Sequence, residues 1–529
     1  MFGTFIKIQS WATTVLTNGN VAPSELPSVR DRESCAKWLT MVPLTDPARA
    51  TEALTKLLDE LQDSEMSGTR YFGILEQLRP AILVVQGQII EQLTGRGVPM
   101  QAPLKEAFLS VQRLWEQLAR GYIRAFEEAN QNDRALPRRK LIARALEALS
   151  GMVLGHYQAR QALPVAMWKR LHTMWKQLER CEQEAGDAPE PGLGEPTAQD
   201  IYVFNVLMHL AEPYRLSPRE LGIVRGWTIR WARKVTFSDR FEPGRTVGID
   251  LASSAPPGLV RADRDARALD LTHLELSLLK RMQALQRGTH PAKMGLGDEV
   301  SPDEAADLVR MLHRRWCRAP RASASTGHMG VMRVAVRAEN VIDPGRRNVA
   351  PTSSSNWEYS GRGRDVYGMF ATAEHEKRDG LEGELETWSL IKSDGPELEL
   401  TRGREGDRIA QGYLVGLRGE SGAGFMLGRV DWVVELTDGG IRIGVRLFLG
   451  TNARVTLRKT SMRDGISPMN IRAVVVTSTA GSKMVITGLG KLEAGDLLNF
   501  SIDDIEHEGR VGGSLYRSID FSGFVLDDA

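Results

Sequence analysis

The chain has little that would brace or anchor it from outside. Its three cysteines, Cys35, Cys181 and Cys317, are scattered through 529 residues without metal-ligand spacing. That excludes a disulfide framework and a cysteine-based zinc module, and it predicts a reducing, cytoplasmic setting. No apolar run approaches the ~20 residues of a membrane-spanning helix. The opening stretch, MFGTFIKIQSWATTVLTNG, lacks the basic start, long apolar core and small-residue cleavage site of a signal peptide. Net charge is only +1, so no overall field draws the protein to nucleic acid or to an anionic membrane surface. Catalytic signatures are missing as well. His375-Glu-Lys-Arg-Asp has no second histidine one helical turn on. Gly488-Leu-Gly-Lys lacks the first glycine and the Ser/Thr of a phosphate loop. Gly361-Arg-Gly does not continue into a dinucleotide fingerprint, and no Gly-x-Ser-x-Gly elbow occurs. The expectation is a protein that is not an enzyme and holds no metal or cofactor.

Hydrophobic content of 42% and charged content of 26% are those of an ordinary globular protein, and the length calls for two or three domains. Residues 1–30 read as a flexible arm. A helical domain follows over 31–235. Leu54, Leu57, Leu58 and Leu61 form one apolar stripe; Leu75, Leu78, Ile82, Val85, Ile89 and Leu93 form a second, in which Pro80 predicts a kink or a new start. The clearest helix covers 104–130, with Pro103 in its first turn. Further helices fall near 137–160, 164–185, 198–212 and 217–235. Short turns between helices of similar length predict a bundle or an irregular array of helical hairpins. Trp115, Trp168 and Trp175 read as core rather than as a recognition groove. The cluster at Arg134 and Arg138-Arg-Lys reads as a solvated helix start.

Over 236–320 the pattern changes. Val247, Ile249 and Leu251 alternate in a short extended excursion, and helices return near 271–287 and 303–317. Ser301 with Glu304 and Pro302 is a capping-box signature. Near residue 320 the composition shifts to Gly, Ser, Arg and β-branched residues, which places the main boundary there. Beyond it the reading is strands: Val331–Val336, then Gly412–Leu457. In the latter, Thr437-Asp-Gly-Gly supplies a hairpin turn, and Arg442, Gly444 and Arg446 lie on the face opposite Ile441, Ile443, Val445 and Leu447. Residues 461–529 add strands to this module or form a second small sheet. The fold class is α+β, an N-terminal all-α domain followed by a C-terminal antiparallel β-barrel over 321–460, with 461–529 packed on that barrel.

Just before the first strand stands Arg314-Arg-Trp-Cys-Arg318, then Arg321. Such arginines grip phosphate bidentately and stack on bases; they equally suit the last turn of a helix, where the dipole favours cations. This R-x-x-x-R spacing precedes three strands in order: Gly412-Tyr-Leu-Val-Gly-Leu, Gly428-Arg-Val-Asp-Trp and Ile443-Gly-Val-Arg-Leu-Phe. The stretch 314–460 resembles the PilZ family of small β-barrels, many of which bind cyclic di-GMP. The resemblance implies that Arg314, Arg318 and Arg321 hold the ligand. The family's second motif, Asp/Asn-x-Ser-x-x-Gly, has two registers here. Glu358–Gly363 keeps the serine and the glycine. The Trp388–Leu400 register fits the hairpin spacing and places Lys392, Asp394 and Glu397 at the motif positions. It adds Lys392 and Asp394 to the expected ligand contacts. It also implies a degenerate site, because Asp394 and Glu397 repel phosphate.

The function expected from the sequence is a cytoplasmic, non-enzymatic regulator or adaptor. A PilZ-like module takes cyclic di-GMP, and the helical domain meets a protein partner. The alternative is a structural or assembly protein whose barrel no longer binds nucleotide and meets protein instead.

Overall fold

The computed structural model describes residues 28–528 except 67, 132–135, 186–194, 242–245, 264, 319–329, 344–384, 420–424, 461–468 and 503. Arg321, the Glu358–Gly363 register and Arg134 lie outside the described residues. The chain divides into two compact units. One comprises Met1–Gly95 and Met100–Arg321; the other comprises Arg96–Pro99 and Ala322–Ala529.

The first unit is built from helices α1 (Arg32–Leu39), α2 (Pro47–Asp63), α3 (Gly68–Leu93), α4 (Ala102–Gln131), α5 (Arg138–Gln158), α6 (Ala166–Ala185), α7 (Ala198–Leu210) and α8 (Pro218–Trp231). Each predicted stripe becomes a buried face, because residues three and four apart share one side of a helix. Pro80 sits inside α3, which runs continuously through it. Helix α5 is buried from Leu141 through Tyr157 and is the axis of the bundle. A charged residue on such a helix needs partners, and Arg144 has three: Glu76 at 3.0 Å, Glu147 at 3.0 Å and Glu195 at 3.0 Å. Trp115, Trp168 and Trp175 are all buried in this core.

The extended excursion is a small sheet of β1 (Thr236–Ser238), β2 (Val247–Asp250), β3 (Gly258–Leu259) and β4 (Ala266–Asp270), in the order β1-β4-β2-β3. Helices α9 (Thr272–Gln286) and α10 (Pro302–Cys317) complete the unit. The capping box at Ser301 is only half made. Ser301 Oγ accepts from Glu304 N at 3.2 Å, but the Glu304 carboxylate turns to Arg219 at 3.1 Å instead of closing the box.

The second unit departs from the single barrel expected: it holds two closed six-stranded antiparallel barrels. The first consists of β5 (Gly330–Val336), β6 (Glu386–Asp394), β7 (Glu397–Arg402), β8 (Leu414–Gly419), β9 (Met426–Glu435) and β10 (Ile441–Leu447), in the closed order β10-β7-β6-β5-β8-β9. A short helix α11 (Ala338–Ile342) follows β5. The hairpin at Thr437–Gly440 forms as its residues dictate. Gly439 takes φ +85°, and Asp438 Oδ1 accepts from Gly440 N at 2.8 Å. The second barrel consists of β11 (Thr451–Thr460), β12 (Met469–Thr477), β13 (Lys483–Gly488), β14 (Leu497–Ile502), β15 (Ile505–Arg517) and β16 (Phe521–Asp528). The segment 451–460 thus belongs to this barrel, and the tail is a second closed wall rather than an addition to the first. The reason is local. Only Phe448-Leu-Gly450 separates β10 from β11, and Gly450 at φ +142° lets the chain leave one barrel and enter the next.

Each barrel has its own core, that of the first around Trp388, Leu400, Leu417, Val430 and Ile443. A third apolar cluster joins the two. Ala335, Leu414, Leu427 and the α11 residues Val341 and Ile342 pack against Val474, Val476, Ile486 and Phe521 of the second barrel. One outer face of the first barrel, across β5, β8 and β9, is therefore covered. Residues Arg96–Pro99, from the connection between α3 and α4, are also built into this unit. Val98 and Ile409 exchange two backbone hydrogen bonds of 2.8 Å, and Val98 enters the first barrel's core.

Candidate functional site

The other outer face of the first barrel, across β6, β7, β10 and β9, is uncovered by the second barrel, and two β-bulges shape it. On β9, Gly444 of β10 pairs with Trp432 while Val445 pairs with Val430, so Asp431 is the extra residue. Strict alternation would send Trp432 inward with Val430; the bulge turns it outward. On β6, Leu400 pairs with Leu390 while Glu399 pairs with Lys392, so Ile391 is extra and Lys392 turns outward. The result is one cross-strand row on the outside: Lys392, Glu399, Gly444 and Trp432. A Cβ on Gly444 would come within 2.0 Å of Trp432 Nε1, so the indole lies over the bare backbone of β10. Its N–H has no partner among the described residues, and the ring is half-exposed.

Arg442 and Arg446 flank this row on β10. Arg442 meets Glu399 at 3.6 Å; Arg446 meets Glu397 at 2.7 Å and Asp431 at 3.7 Å; Arg429 meets Asp431 at 3.4 Å. Lys392 makes no ion pair among the described residues. Asp394 is exposed at the β6–β7 turn and pairs with Glu397 across the strands. The face thus combines an aromatic surface, four cations and four carboxylates, namely Lys392, Arg429, Arg442 and Arg446 with Asp394, Glu397, Glu399 and Asp431. This chemistry suits stacking of a flat heterocycle on Trp432 with phosphate at the arginines. The carboxylates already hold those arginines, so an arriving anion has to exchange partners.

The residues expected to bind ligand fall into both units. Lys392 and Asp394 lie on this face of the first barrel. Arg314 is exposed in the last turn of α10, and Arg318 is the exposed residue that ends the helix, with φ −108° and ψ 130°. Between them Arg315 turns inward, donating to Ala211 O at 2.6 Å, and Trp316 is buried, donating to Leu207 O at 2.9 Å. Trp432, Arg442 and Arg446 were not among the expected contacts. The alternation on β10 already placed both arginines outside, but no sequence signal marked the bulge that brings Trp432 beside them.

Groups suited to nucleophilic or metal chemistry are not gathered here. Burial pushes the Cys35 and Cys317 thiols up to about 12, well away from a reactive thiolate. Burial lowers His209 to about 4, holding it neutral against the Tyr157 hydroxyl at 3.3 Å. Among the described residues no group of His, Cys, Asp and Glu is arranged to hold a metal ion, and no helix is long and apolar enough to cross a membrane.

No curated protein and no solved structure matches the chain. Residues 33–243, which run through most of the helical unit, match the family model described as the N-terminal domain of the cyclic-di-GMP receptor FimW.

Proposed function

We propose that the protein is a non-enzymatic cyclic di-GMP receptor in which the uncovered face of a PilZ-like first barrel takes the nucleotide. The observation that carries this reading is the match of residues 33–243 to the N-terminal domain of a cyclic-di-GMP receptor. The bulged face of the first barrel supplies a chemistry that suits it. A guanine stacks on Trp432, and the phosphates replace Glu399 and Glu397 at Arg442 and Arg446, with Lys392 beside them. Arg314 and Arg318 are proposed as further phosphate contacts. The helical domain serves as the surface for a protein partner in the cytoplasm.

The ion pairs on the same face favour a second reading. Three carboxylates, Glu397, Glu399 and Asp431, already hold the three arginines, which is what a barrel kept for protein contacts would need to stay soluble and unliganded. Titration calorimetry with cyclic di-GMP separates the two. In the receptor reading the parent binds, W432A and R446A weaken binding by at least ~10-fold, and E399Q, which frees Arg442, tightens it. No heat from the parent at ligand concentrations well above micromolar overturns the receptor reading and leaves the assembly role. An R318A or R314A variant binding as tightly as the parent removes that arginine from the ligand contacts without touching the rest.

A further inference from the structure

A series of contacts runs from the bulged face of the first barrel to the segment Arg96–Pro99. That segment joins α3, which ends at Leu93, to α4, which begins at Ala102, yet it is part of the second unit. It is fixed there by backbone and side chain alike. Val98 and Ile409 bond each other's backbone, Arg408 Nη2 donates to Gly97 O at 2.8 Å, and the Val98 side chain is in the barrel core. A Cβ on Gly97 would lie 2.9 Å from Ile409 O, so the segment lies flat against its partner. Two residues beyond Ile409, Gln411 Nε2 donates to Asp431 O at 2.9 Å. Asp431 is the extra residue of the β9 bulge, the step that turns Trp432 outward. The backbone is tied at the same place: Gly412 N donates to Val430 O at 2.8 Å, and Val430 N donates to Tyr413 O at 2.9 Å. The Asp431 carboxylate lies 3.4 Å from Arg429 and 3.7 Å from Arg446.

The connectors at the two ends of Arg96–Pro99 are short. Thr94 and Gly95 precede it, with Thr94 N donating to Ile90 O at 3.0 Å; Met100 and Gln101 follow, with Gln101 O accepting from Lys105 N at 2.9 Å. A shift of the segment therefore passes through the chain to the last turn of α3 and the first turn of α4. At the other end of the series, Arg446 is shared between Glu397 at 2.7 Å and Asp431 at 3.7 Å. An anion that draws Arg446 away takes a cation from the Asp431 carboxylate and loosens the bulge that Gln411 grips. We propose that Arg96–Pro99 is a regulatory strap: an anion on the bulged face weakens the Gln411–Asp431 contact, frees Ile409 from Val98 and so reports its presence to α3 and α4. The inference rests on the reading of that face as the nucleotide site and names what the site controls. Coupling of this kind is carried by contiguous contacts and is reciprocal, so the state of the strap also sets the affinity of the face.

Hydrogen-exchange mass spectrometry of the full chain, read at the Val98 and Ile409 amides, tests this. A ligand that only stabilises the fold slows exchange. Cyclic di-GMP is expected instead to speed exchange at these two amides in the parent by at least ~5-fold. R446Q takes the same cation from Asp431 without any ligand and is expected to speed exchange there too. In Q411A the link is already cut, so neither cyclic di-GMP nor added R446Q is expected to change Val98 exchange further. Calorimetry on the same samples reports binding separately. Binding by the parent with unchanged or slowed exchange at Val98 overturns the strap and leaves the receptor reading. An R446Q effect that persists in full on the Q411A background overturns it as well, and so does the absence of any R446Q effect. A parent that takes up no cyclic di-GMP, while R446Q speeds Val98 exchange only with Gln411 present, overturns the receptor reading and supports the strap.

Discussion

Asp520 joins the two barrels by a carboxylate that folding has made a weaker acid. It sits in the turn between β15 and β16, where Oδ2 accepts from Ala338 N at 2.9 Å and both oxygens lie 3.2 Å from Leu414 N. Burial pushes its pKa from 3.8 up to about 6, against the pull of those backbone N–H groups and of Arg337. The folded protein therefore binds this proton more tightly than the unfolded chain does. Stability from this group is absent above about pH 6 and grows as the pH falls towards 3.8, the opposite of an ion-paired aspartate. From pH 7.5 to pH 4 the linkage amounts to about 2 kcal/mol. Other carboxylates titrate in the same range, so the quantity to measure is the stability of the parent minus that of D520N at each pH, from urea unfolding followed by fluorescence and circular dichroism. The Asn variant keeps one oxygen for Ala338 N and has no charge to titrate. The difference is expected to rise by about 2 kcal/mol in favour of the parent on acidification. A difference that is flat, or that falls, refutes the assignment of a buried, proton-binding Asp520.

Glu386 and Arg402 form a nearly buried pair at 3.2 Å, with Arg402 5.1 Å from the Trp388 ring centroid. E386Q removes the ion-pair partner of that buried guanidinium, leaving it the carbonyls of Glu405 and Asp407, and is expected to cost about 3 kcal/mol in thermal or urea unfolding, whereas E397Q, from a largely exposed pair, costs under about 1 kcal/mol; equal losses would refute the distinction. G444A places a Cβ where the Trp432 indole lies. It is expected to leave the barrel folded by circular dichroism while shifting Trp432 and weakening cyclic di-GMP in calorimetry; unchanged affinity would detach Trp432 from the ligand.

Much of the helical unit is legible in the sequence because its signal is local. A stripe such as Leu75, Leu78, Ile82, Val85 and Ile89 needs only the 3.6-residue period to be read, and all five are buried. The strands of the first barrel are legible for the same reason, including the 388–400 hairpin chosen on spacing. Barrel closure is not local. Nothing in residues 451–529 announces that β11 pairs with β12 and β14 and so seals a second cylinder. The half-made capping box fails in the same way: Arg219, 85 positions away from Glu304, outbids the local partner. In the candidate site, Arg442 and Arg446 follow from alternation, whereas Trp432 does not. Its direction depends on one extra residue, Asp431, which a strand pattern counts as an ordinary step.

The two bulges have a consequence for how this barrel can change. Side chains on a strand follow a two-residue reading frame, and Asp431 and Ile391 each act as a frameshift within it. Deleting Asp431 would remove the frameshift and let Trp432 follow Val430 directly, still opposite Gly444 and still outward, with Val430 and Val433 kept in the core. Deleting Ile391 would likewise leave Lys392 opposite Glu399 and outward. Point substitutions can retune the outer row residue by residue. A single-codon deletion at any other position within β6 or β9 cannot be absorbed in that way, because one register specifies both the packing inside the wall and the chemistry outside it.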